Sequence, residues 1–500
     1  MSEKFVLPRL LTGVPGLDVL LGGGLAEFSF NLIAGSPGSG KTTLAHQIMF
    51  SLANPERRAL FFTVLGEPPL KMLRYQQQYT FFDIAKVNSS IRFVNVAEET
   101  MSGDFTLVLA RIVEEVERFE PGLVFVDSFR SVLRAAQSEW GMHDGDGELQ
   151  QFVQRLAMHL TNWHATTFLV GEYMTLESEA NPVFTVADGI VWLSQSIHRN
   201  SMVRKMQVTK MRGHATIAGL HTFRIGDDGL QVFPRTILTG ATETAHGSHG
   251  EGLRGSLSMG VPLLDDMMGG GLPAGYSLLI AGPSGSGKSL LATAFLAEGV
   301  RVGEKGVIAA FEKSPSKTRN PRLDDLISQG HVGVVETRAL DLSIDETLFA
   351  LTDMIRRTGA SRVVIDSLSG FELALAPTFR EDFRESLYRM VAALTDLGAT
   401  VLMISELEDR YTDLRFSPYG AAFLTDAIIV QRYVEMRGEL RRVLAVVKVR
   451  NSRHSHELRL FDITDAGIVI GAPTPGIEAL LTGHPRPVAM VANAANDKPG

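Results

Sequence analysis

The sequence predicts an α/β protein of two tandem domains, each a mostly parallel twisted sheet covered by helices on both faces. Three observations predict it. The second half repeats the first, short β-rich runs alternate with longer helical ones, and a glycine-rich loop follows an early apolar run in each half.

The repeat sets the domain count. Gly13-Val14-Pro15, Gly22-Gly23-Gly24-Leu25 and Leu32-Ile33-Ala34-Gly35 return as Gly260-Val261-Pro262, Gly269-Gly270-Gly271-Leu272 and Leu279-Ile280-Ala281-Gly282, at a constant offset of 247. Of the 30 positions from Gly13 to Thr42, 17 are identical to their partners, which is internal duplication rather than chance. Five hundred residues also exceed what one hydrophobic core organises. The expected organisation is a first domain at 1–240, a linker at 241–256, a second domain at 257–472 and a tail at 473–500. The linker is rich in Gly, Thr, Ser and His, and the tail turns rich in Pro and Ala.

Within the first half, the β-rich runs are Phe28 to Ala34, Ala59 to Val64, Leu123 to Val126, Thr166 to Val170 and Gly189 to Leu193. Strands separated by helical stretches imply parallel pairing with crossover helices.

The bulk numbers exclude several function classes. A composition of 45% hydrophobic and 21% charged residues is that of a globular protein with real cores. A formal net charge of −8 argues against nucleic acid as the partner. With no cysteine, disulfides, thiolate metal sites and cysteine nucleophiles are out. The opening residues lack the pattern of a secretory signal, and no apolar run approaches the ~18 residues of a membrane span, so the expectation is a soluble, cytoplasmic chain with no membrane role.

The chemistry lies in the loops. Gly35, Ser36, Pro37, Gly38, Ser39, Gly40, Lys41 and Thr42 have the spacing of a phosphate-binding P-loop, and so do Gly282, Pro283, Ser284, Gly285, Ser286, Gly287, Lys288 and Ser289. Thr43 and Leu290 follow directly. Each loop succeeds an apolar strand and opens a helical run, Leu44 to Leu52 and Leu290 to Val300. Glycines let the backbone wrap a phosphate, and the helix N-terminus behind them points amide donors at it. Lys41 and Lys288 would neutralise the β- and γ-phosphates of ATP. The hydroxyls of Thr42 and Ser289 would ligate Mg2+, with Asp127 and Asp366, each ending a buried strand, holding the ion through water. A strand-end Asp that merely caps a helix is the plainer alternative for those two.

Together these residues resemble the KaiC family of circadian-clock ATPases, built from RecA-like domains, from Gly13 to about Pro487. The stretch from Thr425 and Asp426 through Tyr433 to Arg437, Gly438 and Glu439 is close to the family's second-domain pattern. The Lys-x-Arg elements, Lys210-Met211-Arg212 and Lys448-Val449-Arg450, are another likeness. The resemblance implies that these elements, with His214 and His454, reach a neighbouring subunit's nucleotide, and hence a homo-hexameric ring with ATP at its interfaces. It also implies KaiB-like or other signalling-protein partners. In RecA-like enzymes the carboxylate that orients the attacking water ends the strand after the P-loop helix. That places it at Glu67 and Glu312, for which a surface glutamate at a strand end is the alternative.

Three departures stand out. Where clock members carry adjacent Ser and Thr phosphorylation sites, this chain has Ala422 and Phe423, with Thr425 and Tyr419 the nearest hydroxyls. The paired catalytic glutamates of the family are reduced to Gly66-Glu67 and Glu312-Lys313. Asn451 replaces the glycine after the second Lys-x-Arg, and the tail beyond Pro487 does not match. The leading reading is a ring ATPase acting as a slow nucleotide-driven switch. Serine/threonine autokinase activity and a RecA-like DNA recombination role are the competing ones.

Overall fold

A computed structural model describes residues 8–63, 69–101, 105–128, 154–156, 158–159, 164–173, 182–198, 201–235, 255–311, 320–336, 342–407, 424–436, 438–473, 477–478 and 486–487. The chain divides into two compact units, Met1–Ile237 and Leu238–Gly500. Glu67, Glu312, Tyr419, Ala422, Phe423, Arg437 and most of the expected linker and tail lie outside the described residues.

In the first unit the principal elements are β1 (Phe30–Gly35), α1 (Lys41–Leu52), β2 (Ala59–Thr63), β3 (Ile91–Asn95), α2 (Phe105–Phe119), β4 (Leu123–Asp127), β5 (Thr166–Glu172), β6 (Gly189–His198), β7 (Ser201–Met211), β8 (His221–Gly226) and β9 (Gly229–Phe233). They form one nine-stranded sheet in the order β9-β8-β7-β6-β1-β5-β4-β2-β3. The strands from β6 to β3 run parallel, and β7, β8 and β9 add an antiparallel wing.

The central strands are apolar at nearly every position because both faces of the sheet are covered. Ile33, Phe61, Phe125 and Phe168 face one core with Leu44, Ile48 and Met49 of α1. Their neighbours Leu32, Phe62, Val124 and Leu169 face the other core with Val108, Ile112 and Val116 of α2, which recur every four residues as one helix stripe. Stacked rings bind adjacent strands, with Phe125 centred 4.6 Å from Phe168 and 5.9 Å from Phe61.

The second unit repeats this plan. Its elements are β10 (Ser277–Gly282), α3 (Lys288–Arg301), β11 (Gly306–Ala310), β12 (Val332–Glu336), α4 (Ile344–Thr358), β13 (Arg362–Asp366), α5 (Phe383–Asp396), β14 (Thr400–Glu406), β15 (Ala427–Met436), β16 (Glu439–Val449), β17 (Arg459–Thr464) and β18 (Gly467–Pro473). Their order, β18-β17-β16-β15-β10-β14-β13-β11-β12, matches the first sheet strand for strand. Alternate residues again serve two cores, Leu279, Val307 and Val363 on the face of α4 and α5, Leu278, Ile308 and Val364 on the face of α3. Ser256–Leu257 pairs with Leu272–Pro273 ahead of β10, and Ile477–Glu478 pairs with Arg486–Pro487 after β18. No helix among the described residues is long and apolar enough to cross a membrane.

One buried group gives the first unit a pH dependence. His46, on α1, is fully buried with its ring stacked 4.6 Å from that of Phe61. Burial pushes its pKa down to about 3, against an opposite pull from the Gln76 side chain. The unfolded chain takes up a proton below pH ~6.5 and the folded one does not. Stability is therefore lost as pH falls through 6.5 toward 3, by about 2 kcal/mol at pH 5. Denaturant unfolding at pH 7.5 and pH 5 checks this, and His46→Leu is expected to remove that part of the acid sensitivity.

Candidate nucleotide sites

Each unit carries one candidate site, at the C-terminal ends of the parallel strands where open α/β sheets bind ligands. In the first unit β1 ends at Gly35, the loop Ser36-Pro37-Gly38-Ser39-Gly40 turns, and α1 begins at Lys41. Gly38 and Gly40 hold φ of 71° and 101°, and Gly285 and Gly287 hold 76° and 101°, a left-handed backbone that side chains with Cβ resist. Neither N-capping glycine, Gly40 or Gly287, offers a side-chain acceptor, so the first-turn amides of α1 and α3 are left for an incoming anion.

Gly35 answers a different need. Hydrogen bonding of β1 to β6 brings the Leu193 carbonyl oxygen to 1.9 Å from where a Cβ would stand. Gly35→Ala is expected to push the two strands apart and destabilise the first unit by more than about 3 kcal/mol. Thermal melting and nucleotide titration of the variant test this.

The lysines are sunk in the cradle. Lys41 is 6% exposed and donates from Nζ to the Ser36 carbonyl at 2.8 Å. Lys288 is equally buried and donates to the carbonyls of Gly282 and Pro283 at 2.9 and 2.7 Å. Burial lowers the Lys41 pKa, while Glu172 and then Asp127 act in the opposite direction. Carbonyl oxygens are weaker partners for a buried ammonium than phosphate oxygens. In the first unit the buried hydroxyls of Ser36 and Ser39 also lack a hydrogen-bond partner among the described residues, so that cradle fits a polyanion.

Beside each lysine stands a hydroxyl on a carboxylate. Thr42 donates from Oγ1 to Asp127 Oδ2 at 2.7 Å, and Ser289 donates from Oγ to Asp366 Oδ2 at 2.9 Å. The peptide after each aspartate, to Ser128 and Ser367, is cis in both units. One hydroxyl and one carboxylate at this spacing suit Mg2+, which keeps waters and takes phosphate oxygens for its remaining positions. Thr43 and Leu290 lie in the first turns of α1 and α3, with Leu290 37% exposed.

The two sites are not copies in detail. Gln195 of β6 donates to the Pro37 carbonyl at 3.1 Å, where Tyr433 of β15 reaches the Ser284 carbonyl at 3.4 Å. Ser286 donates to Gln431 at 3.0 Å, whereas the corresponding residue of β6 in the first unit is Leu193.

The Lys-x-Arg elements sit elsewhere. Met211 pairs with Gly189, and Gly189 pairs with Asn31, four residues before Gly35. Lys448 pairs with Ile428, and Ile428 with Leu279, three residues before Gly282. At ~3.3 Å per residue, each element lies about 10–13 Å back along the sheet, at the end opposite its own loop.

There Lys210 donates to the carbonyls of Phe184 and Thr185 at 3.0 and 2.8 Å, and Arg212 pairs with Asp188 at 3.0 Å. Lys448 donates to the Thr425 carbonyl, and Arg450 pairs with Asp426 at 3.2 Å. Burial first, and the neighbouring arginine second, lower the pKa of both lysines. Asp188 and Asp426 also accept the amides of Phe30 and Ser277 at 3.0 Å, tying each basic element to the start of the P-loop strand.

Asn451 has φ 52°, so it holds the same left-handed turn as Gly213 at 89°. Asparagine tolerates that conformation through local polar contacts, and the departure at this position leaves the turn intact. His214 belongs to this region, with its ring edge 3.8 Å from where a Cβ on Gly22 would stand. His454 has Nδ1 3.1 Å from the Ser455 carbonyl oxygen and its ring centre 4.9 Å from that of His456.

Two acidic residues at the sites escape sequence reasoning. Glu172 and Glu406 end β5 and β14, the strands beside the P-loop strands. The only signal for them is an acidic residue closing an apolar run.

A parallel sheet with a lysine-bearing glycine loop opening a helix, and a hydroxyl on a strand-end aspartate, defines a P-loop nucleoside triphosphatase, here present twice in one chain. Residues 10–237 and 257–474 each match the family described as "ATPase: KaiC". The chain belongs to the KaiC family of ATPases, with two RecA-like domains in tandem. The "Circadian clock protein KaiC3" of Synechocystis sp. is 27% identical over 504 residues, covering 97% of this chain and 96% of its own. The "Circadian clock oscillator protein KaiC" of Parathermosynechococcus lividus is 25% identical, covering 97% and 89%. That of Rippkaea orientalis is 26% identical, covering 96% and 92%.

Proposed function

We propose that this protein hydrolyses ATP with Mg2+ at two sites per chain, each completed by a neighbouring subunit in a homo-hexameric ring, and that it works as a nucleotide-driven signalling switch. The observation that carries this reading is the position of the Lys-x-Arg elements. Lys210, Met211, Arg212, Lys448 and Arg450 stand at the far end of each sheet from their own loop, so a phosphate they reach is not the one held by that loop. In a head-to-tail ring the basic end of one subunit meets the loop end of the next, and such contacts close into a cycle. Asp188 and Asp426 hold the arginines ready for that role.

Within each site the loop amides and Lys41 or Lys288 bind the phosphates, Thr42 with Asp127 or Ser289 with Asp366 holds the ion, and Glu67 or Glu312 orients the water. Mg2+ held there would supply neutralisation of the phosphates' negative charge. Partners would be signalling proteins of the KaiB-like kind, responding to the nucleotide state.

The autokinase alternative loses its nearest acceptor in the described residues, because Thr425 is fully buried. Size-exclusion chromatography with light scattering, with and without ATP and Mg2+ and with phosphate release assayed in each peak, tests the ring. A nucleotide-dependent hexamer that releases phosphate is expected. A monomer, or a filament whose ATPase activity rises with single-stranded DNA, would favour the recombination alternative.

A further inference from the structure

Glu172 and Glu406 occupy equivalent places in the two sites. In register Glu172 pairs with Gly35 and Glu406 with Gly282, the first glycine of each loop. The next residue locks the strand end to that glycine, with the Tyr173 amide donating to the Gly35 carbonyl at 3.2 Å and the Leu407 amide to the Gly282 carbonyl at 3.0 Å. Gly282 also accepts Lys288 Nζ at 2.9 Å, so one backbone oxygen joins the loop lysine to the glutamate's strand. On the other side, Asp127 pairs with Val170, which sets Glu172 two residues, about 7 Å, farther along the strand direction than the aspartate. Asp127 and Asp366 take the hydroxyls of Thr42 and Ser289. A second carboxylate thus ends the strand beside each loop, level with its first glycine, and in the first unit its charge acts on Lys41.

Its charge has a consequence for a bound nucleotide. A triphosphate carries more negative charge than a diphosphate, and a fixed carboxylate opposes the larger anion more, within a few ångströms where screening is weak. We propose that Glu172 and Glu406 are positioning residues that set each site's preference between nucleoside triphosphate and diphosphate, by holding the loop lysine to their side and opposing the charge of the γ-phosphate. The inference rests on the ATP reading above and adds to it a means of registering the loss of that phosphate. The duplication supports it, because the same residue type returns at the same register in both units although the strand-end sequences Val170-Gly171-Glu172 and Ile404-Ser405-Glu406 differ before it.

The test is equilibrium titration of the full chain with Mg-ATP and with Mg-ADP, for the wild type and for Glu172→Gln combined with Glu406→Gln. Glutamine keeps the shape and removes the charge. The variant is expected to gain about tenfold in affinity for ATP relative to ADP, the equivalent of one modest charge interaction. Equal change for both nucleotides, or none, overturns the proposal, because a merely structural role does not discriminate between them. If the glutamine variant fails to fold, Glu172→Asp combined with Glu406→Asp decides. A withdrawn carboxylate is expected to shift the ratio part of the way, and an unchanged ratio overturns the idea. A wild type that binds neither nucleotide overturns the ATP reading together with this one, whereas a wild type that binds both beside an unresponsive variant overturns this one alone.

Discussion

Replacing Lys41 and Lys288 together by alanine is expected to abolish phosphate release, and each single replacement to silence one site. Each ammonium is buried among backbone carbonyls of its own loop, so it is placed to meet the β- and γ-phosphates. Removing a preorganised donor from the charge that develops in a transition state costs about 10²–10³ in rate, or ~3–4 kcal/mol. Alanine also removes the cation that offsets the phosphates in the ground state, so binding should weaken as well. Phosphate release under saturating ATP, measured for the wild type, both singles and the double, separates the two sites. Unchanged turnover in the double variant would refute hydrolysis at these loops.

The second large effect is a rescue. Arg212→Ala combined with Arg450→Ala is expected to lower turnover about 10³-fold, the scale of an arginine supplied to a phosphoryl-transfer site from a neighbouring subunit. Folding should survive, because Asp188 and Asp426 keep their backbone partners, the amides of Phe30 and Ser277. Mixed with the inactive Lys41→Ala, Lys288→Ala chain, this variant should regain activity. In a randomly mixed ring with equal amounts of each chain, about a quarter of interfaces pair an intact loop with an intact arginine. Recovery near that fraction of wild-type turnover identifies action across a subunit boundary. No recovery after dissociation and reassembly assigns the arginines to their own chain.

These predictions differ in how far the sequence alone supports them. The strand runs of the first half were legible because buried parallel strands are apolar throughout, and β1, β2, β4 and β5 begin within two residues of where the runs do. The helix after the first loop begins at Lys41 rather than Leu44, because its first turn is polar for the sake of the site and its apolar periodicity starts late. β6 runs on to His198, five residues past the apolar run that ends at Leu193. Beyond the P-loop strand its pattern turns polar through Ser194, Gln195 and Ser196, as a strand half exposed to solvent does. Glu172 and Glu406 went unread because a strand-end acidic residue is indistinguishable in sequence from a turn residue.

By itself the sequence determined the duplication, the α/β class and the two phosphate loops. A P-loop's glycines, lysine and hydroxyl act within eight consecutive residues, and local backbone geometry is enough to bring them together. The tertiary structure decided everything that depends on strand order. It set Thr42 beside Asp127, 85 residues away, and Ser289 beside Asp366, 77 residues away. It brought Glu172 and Glu406 beside the first glycine of each loop and carried the Lys-x-Arg elements to the opposite end of each sheet. Those neighbours are fixed by hydrogen-bond register between strands distant in the chain, which is settled by how the whole apolar surface is buried and not by any short run of residues.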